Sequence, residues 1–275
     1  MINKLYLLLL MVFFSSYFLS LVDEDPLPTL GDYSSASISL SGEYSLGRIW
    51  LSMYRGSIKE HSDPLMRTYL EDLIYRLSET SEVRDRRFEF IILEDKAINA
   101  FAAPGGIIGI NLGMFLNTEK EGELASVMCH ELAHLSQRHY ARSQNKVSPL
   151  TNALMVLGSI AVAAASRNPE AILIAPAAMQ QMSINFTRSN EKEADRIGIS
   201  TLSKAGFDVS AMPRFFGRLA EQYRYASTPP PMLLTHPLPE DRIADTRARA
   251  ESYPKKTASP SLSYQLAAGH ILTIL

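Results

Sequence analysis

Leu124-Ala125-Ser126-Val127-Met128-Cys129-His130-Glu131-Leu132-Ala133-His134 is the stretch on which the reading of this chain turns. Positions i and i+4 of a helix share one face, so the imidazoles of His130 and His134 can reach a single ion. Glu131 stands one residue along, placed to take a proton from water beside that ion. With 6 His in 275 residues, this pattern arises by chance about 0.008 times, so it is read as a site and not as a coincidence of composition. Zinc in a reactive site takes three protein ligands and keeps one position open. The third ligand is sought in Asn190-Glu191-Lys192-Glu193-Ala194-Asp195-Arg196. Glu191 and Asp195 are four apart and share a helix face, whereas Glu193 points roughly the other way. Glu191 completes a His₂Glu set, and Asp195, one turn on, can accept the N–H of a ligand histidine.

Composition sets wide bounds around that core. The chain carries 27 Lys+Arg against 29 Asp+Glu, a formal charge of −2, with 46% hydrophobic residues. These values fit a globular protein and exclude a disordered chain, a collagen-like repeat and a multi-span membrane protein. No basic footprint for nucleic acid is present. The lone Cys129 rules out an intramolecular disulfide and reads as a small buried hydrophobe. At the N-terminus, Lys4 precedes an uncharged run from Leu5 to Val22, followed by Asp23, Glu24 and Asp25. This is an export pattern. At 18 residues the run is longer than the core of most cleaved signals, and Phe18 spoils the small-x-small site before Ser20, so residues 1–22 read as a signal peptide or a retained inner-membrane anchor. Either way the charge order places the body outside the cytoplasm, in a periplasm-like space. A buried N-terminal helix is the plainer alternative.

Residues 23–44, rich in Ser, Pro and acid, read as a linker. Apolar spacing predicts a helix from Asp63 to Leu77. Alternation at Phe88, Phe90 and Ile92 predicts a strand, and Pro104-Gly105-Gly106 predicts a turn between strands at 99–103 and 107–111. One helix is expected over 121–142 and another over 183–205, capped by Gly206. Ser210 and Pro239 open two more. The apolar segments 150–165 and 171–182 are too short to span a bilayer and read as core or as a lid over a cleft. His61, His139 and His270 read as structural or surface residues. Strands early and helices later give an α+β fold: a mainly helical zincin-type domain over 45–254 with a small antiparallel sheet.

Several motifs together resemble a known family. Besides the His130–His134 motif and the later Glu191/Asp195 pair, they include Asn99-Ala100-Phe101, Gln137-Arg138-His139, Gly206-Phe207-Asp208 and Thr235-His236-Pro237-Leu238-Pro239-Glu240. Over roughly 40–252 the chain resembles the HtpX/Ste24-like gluzincin metallopeptidases, and among them the bacterial enzymes of outer-membrane β-barrel assembly. The resemblance implies one Zn²⁺ on His130, His134 and Glu191, with Glu131 as base and Asp195 behind the ligands. It implies that His236 takes the zinc's fourth position in a latched enzyme. From its own surroundings His236 is an ordinary loop histidine. The implied substrates are misfolded or stalled outer-membrane proteins, and the implied partner is the barrel-assembly machinery. A chaperone-like assembly factor and an inner-membrane quality-control protease are the other readings. Residues 255–275 then read as the truncated start of a helical repeat region.

Overall fold

The computed structural model describes residues 38–144, 188–225, 228–257 and 260–274. The segment 1–22, most of the 23–44 linker and the apolar stretches 150–165 and 171–182 lie outside the described residues. Helix α1 (Leu40–Arg55) begins inside the stretch read as linker, because Ser39 caps it by accepting the Gly42 N–H at 3.0 Å. Its Trp50 stacks on Tyr54, and both meet Phe101 edge-on. Helix α2 (Pro64–Ser78) starts where the periodicity predicts. Asp63 accepts from the Leu65 and Met66 N–H groups, Pro64 fills the first turn, and Leu70, Leu73, Ile74 and Leu77 face the core.

Strands β1 (Glu89–Leu93), β2 (Ala100–Ala103) and β3 (Ile107–Asn111) form one sheet in the order β1-β3-β2. β2 and β3 are the expected hairpin, turned by Gly105 and Gly106 at φ 76° and 77°. β1, however, pairs with β3 in parallel, Phe90 opposite Ile108. The mainly helical α+β class holds, but the sheet is mixed and not purely antiparallel. Residues 94–99 carry the chain across the end of the sheet, so the hairpin's second strand returns between β1 and β2.

After the short α3 (Gly113–Asn117), helix α4 (Glu121–Ser136) crosses the centre, with every residue from Glu123 to His134 buried. The single helix expected over 121–142 is broken at Gln137-Arg138, and α5 (His139–Gln144) restarts in a new direction. Arg138 sits at φ 50°, the left-handed region, which costs a non-glycine residue about 1–2 kcal/mol. Its guanidinium offsets that strain by donating to Glu43 on α1 at 2.9 Å and to the Ile38 carbonyl.

Helix α6 (Arg188–Lys204) lies along α4. A Cβ on Gly198 would stand 3.2 Å from the His130 backbone nitrogen, so the two backbones approach closely there. Gly206, at φ 90°, closes α6 as expected, with Phe207 N–H donating to the Leu202 carbonyl. Then come α7 (Ala211–Tyr223), the short α8 (Pro231–Thr235), α9 (Glu240–Glu251) and α10 (Leu262–Ile274). α10 buries Tyr264, Ala267 and Ile271 in the main core, and the Tyr264 hydroxyl donates to the Thr118 carbonyl at 2.6 Å. Among the described residues no helix is long and apolar enough to cross a membrane.

Candidate metal centre

Four side chains from three parts of the chain converge where α4 faces α6. His130 and His134 come from one face of α4, Glu191 from the first turn of α6, and His236 from the residue after α8. Each is at most 3% exposed. His130 Nε2 and His134 Nε2 are 3.0 Å apart. Glu191 Oε2 is 3.3 Å from His130 Nε2, and Glu191 Oε1 is 3.4 Å from His134 Nε2. His236 Nδ1 lies 3.2 Å from Glu191 Oε1 and 3.4 Å from His130 Nε2. Around a tetrahedral zinc with ligands at ~2.0–2.2 Å, ligand atoms stand about 3.3 Å apart, so this donor set fits such an ion.

Glu131 points to the same place. It is 0% exposed, and neither of its oxygens accepts a hydrogen bond from a described residue. Oε1 is 3.5 Å from His236 Nε2. A buried carboxylate without such a bond is costly and marks a group that works on something entering the site. The space beside His130 and His236, lined by Val127, Phe216, Leu219 and Met232, is a cavity of about 10 Å³, roughly one water's worth.

The electrostatics favour a cation. Burial raises the pKa of Glu191, but the neighbouring imidazoles of His236, His130 and His134 outweigh it and hold the carboxyl well below its ordinary range. Burial also disfavours charge on His130, yet Asp195 and Glu191 lift its pKa to about 10. That negative field equally favours a dication. His134 is pushed well below its ordinary value, first by burial, which suits a neutral imidazole ligand. Burial raises the Cys129 thiol, and Cys129 is not among the converging donors.

All six residues singled out from the sequence meet here. Asp195 lies behind His130, Oδ1 at 3.0 Å from Nδ1. Two further groups were not foreseen. Arg242, on α9 and 2% exposed, grips Asp195 with Nε and Nη2, both at 2.8 Å, and donates through Nη1 to Glu191 at 2.7 Å and to the Pro237 carbonyl at 2.7 Å. It ties the His236 loop to the helix that carries Glu191. His139, read as structural or surface, is fully buried with its Nδ1 2.8 Å from His134 Nδ1. Glu193, which does point away from the ion site, meets His139 Nε2 at 3.1 Å. A signal for Arg242 existed in principle: two carboxylates on one buried helix face need a cation.

The comparisons with known proteins agree with this geometry. The chain is 40% identical over 255 residues to the beta-barrel assembly-enhancing protease of Escherichia coli K12, covering 90% of this chain and 52% of that protein. A Vibrio cholerae counterpart is 46% identical over 260 residues, 92% of this chain and 54% of its own length. The mitochondrial metalloendopeptidase OMA1 of Schizosaccharomyces pombe is 28% identical over 190 residues, 64% of this chain and 55% of that one. The chain therefore spans about half the length of the curated relatives it matches. Residues 64–250, which carry every residue of the convergent site, match the model of peptidase family M48, and the chain belongs to that family of metallopeptidases.

Proposed function

We propose that this chain is a zinc endopeptidase facing the bacterial periplasm, acting on misfolded or stalled outer-membrane proteins. The observation that carries the chemistry is the buried His130/His134/Glu191/His236 cluster beside the Glu131 carboxylate. The substrate class, the compartment and any contact with the barrel-assembly machinery rest on the names of the relatives and on the export pattern of residues 1–22.

In this reading His130, His134 and Glu191 hold the ion. Zinc there supplies Lewis acidity, making water more acidic and polarising the scissile carbonyl. Glu131 takes the proton from the attacking water and hands it to the leaving amine nitrogen. Asp195, with Oδ1 3.0 Å from His130 Nδ1, is placed to keep that ring oriented. His236 stands where water or a carbonyl must enter, so its loop moves before substrate binds. A swung-out His236 can then donate to the developing oxyanion. A signal or anchor over 1–22 and a peptidase body over 45–254, with α10 packed into the same core, complete the proposed organisation.

The tight space beside His236 favours a second reading, an assembly factor whose latched protease seldom cuts. One variant tests both. Glu131→Gln in the full chain should bind zinc at one per chain yet cleave casein about 10²–10⁴-fold more slowly. Undiminished cleavage removes Glu131 as the base. Rescue of outer-membrane defects by this variant in cells would favour the assembly factor over the protease.

A further inference from the structure

The two histidines of α4 are supported from behind in different ways. His130 Nδ1 meets a carboxylate directly, Asp195 at 3.0 Å. His134 Nδ1 meets another imidazole, His139 Nδ1 at 2.8 Å. Beyond it, His139 Nε2 meets Glu193 Oε2 at 3.1 Å, and Arg142 Nη1 donates to that same oxygen at 2.8 Å. The protons along this row have one consistent order. A ligand His134 presents the Nε2 lone pair to the ion and so carries its proton on Nδ1. That N–H donates to His139, whose Nδ1 must then be bare and whose proton must sit on Nε2, donating to Glu193.

The backbone is built to deliver this contact. An uninterrupted helix would put position 139 about 140° around the axis from position 134, away from the ring it now touches. The left-handed turn at Arg138, held by Glu43, instead folds α5 back so that His139 lies under His134. Gln137, the other residue of the break, donates to Glu82 at 2.8 Å.

We propose that His139 is a positioning residue of the metal site: it fixes the tautomer and ring plane of His134 and relays to it the charge of Glu193. This rests on the reading of His134 as a ligand. Zinc affinity, measured by chelator competition on the full chain, tests it. His139→Leu should bind zinc about 10–100-fold more weakly. His139→Asn, which keeps an acceptor oxygen near the Nδ1 position, should stay within about threefold of the unmodified protein. If His139 only packed, Leu would be the milder change, and that order of affinities overturns the proposal. A second measurement needs no variant. Imidazole ¹⁵N spectra of the zinc-loaded protein should show His139 as the Nε2–H tautomer, and a proton on its Nδ1 overturns the relay. Failure of the unmodified protein to bind zinc would refute the metal-site reading itself, an outcome distinct from either of these.

Discussion

Helices α4 and α9 both border the metal cluster, and they are held there by opposite means. α4 is wrapped in apolar contacts: Leu124, Val127, Met128, Cys129 and Leu132 are each at most 1% exposed. α9 buries two residues, Arg242 and Thr246, both polar. α4 is placed by the non-directional hydrophobic effect, which acts over its whole length. α9 lays the half-buried Ile243 and Ala250 against the core, and its polar tie to the site is one guanidinium, supported by the Phe216 ring 5.3 Å from its centre. Apolar packing tolerates the loss of part of one side chain. A buried ion network fails when one partner is removed, because the others are left charged and out of water.

Removing the arginine should have the largest effect on stability. Arg242→Met strands Asp195 and is expected to cost about 4 kcal/mol, with zinc affinity falling as Glu191 loses its tie. Arg242→Lys should recover little, since an ammonium cannot grip Asp195 at two points. Urea unfolding and chelator competition measure both effects, and an Arg242→Met protein of unchanged stability would erase the contrast between the helices. On the other helix, Leu132→Ala should cost about 3 kcal/mol through the cavity it leaves, while zinc still binds at one per chain. The smallest effect belongs to the exposed pair between Lys192 on α6 and Asp241 on α9, 2.5 Å apart. Asp241→Asn should leave the melting temperature unmoved, because solvent screens such pairs. A clear drop would show that α9 depends on its surface contacts as well as on Arg242.

The same division explains what could be read from the sequence. α2, the β2–β3 hairpin and the Gly206 cap are written in local chemistry: an Asp before a Pro, a Pro-Gly-Gly turn, a glycine after a periodic run. The convergence of the candidate donors was legible because spacing of four residues puts His130 with His134, and Glu191 with Asp195, on single helix faces. Glu191 and Asp195 on one buried face called for a cation, but that Arg242 supplies it was not legible. Its partners are 47 and 51 residues away, and arginine is ordinarily a surface residue. The break after Ser136 was hidden for a different reason: neither glycine nor proline marks it, and the strain at Arg138 is offset by Glu43, 95 residues upstream. Without that break His139 has no route to His134. The parallel pairing of β1 with β3 was equally hidden, because alternation marks a strand but not its neighbour.

Gly198 gives the site a dimension that no ligand supplies. With 3.2 Å between the place of its missing Cβ and the His130 nitrogen, the axes of α4 and α6 are as close as two backbones allow there. Glu191 is carried on one of these helices and both histidines on the other. The width of the cage is thus an interhelical distance, set two turns from Glu191 by the absence of a methyl group. A single added carbon at Gly198 would have to push the two helices apart there by a few tenths of an ångström, and Glu191 would move relative to the histidines with them.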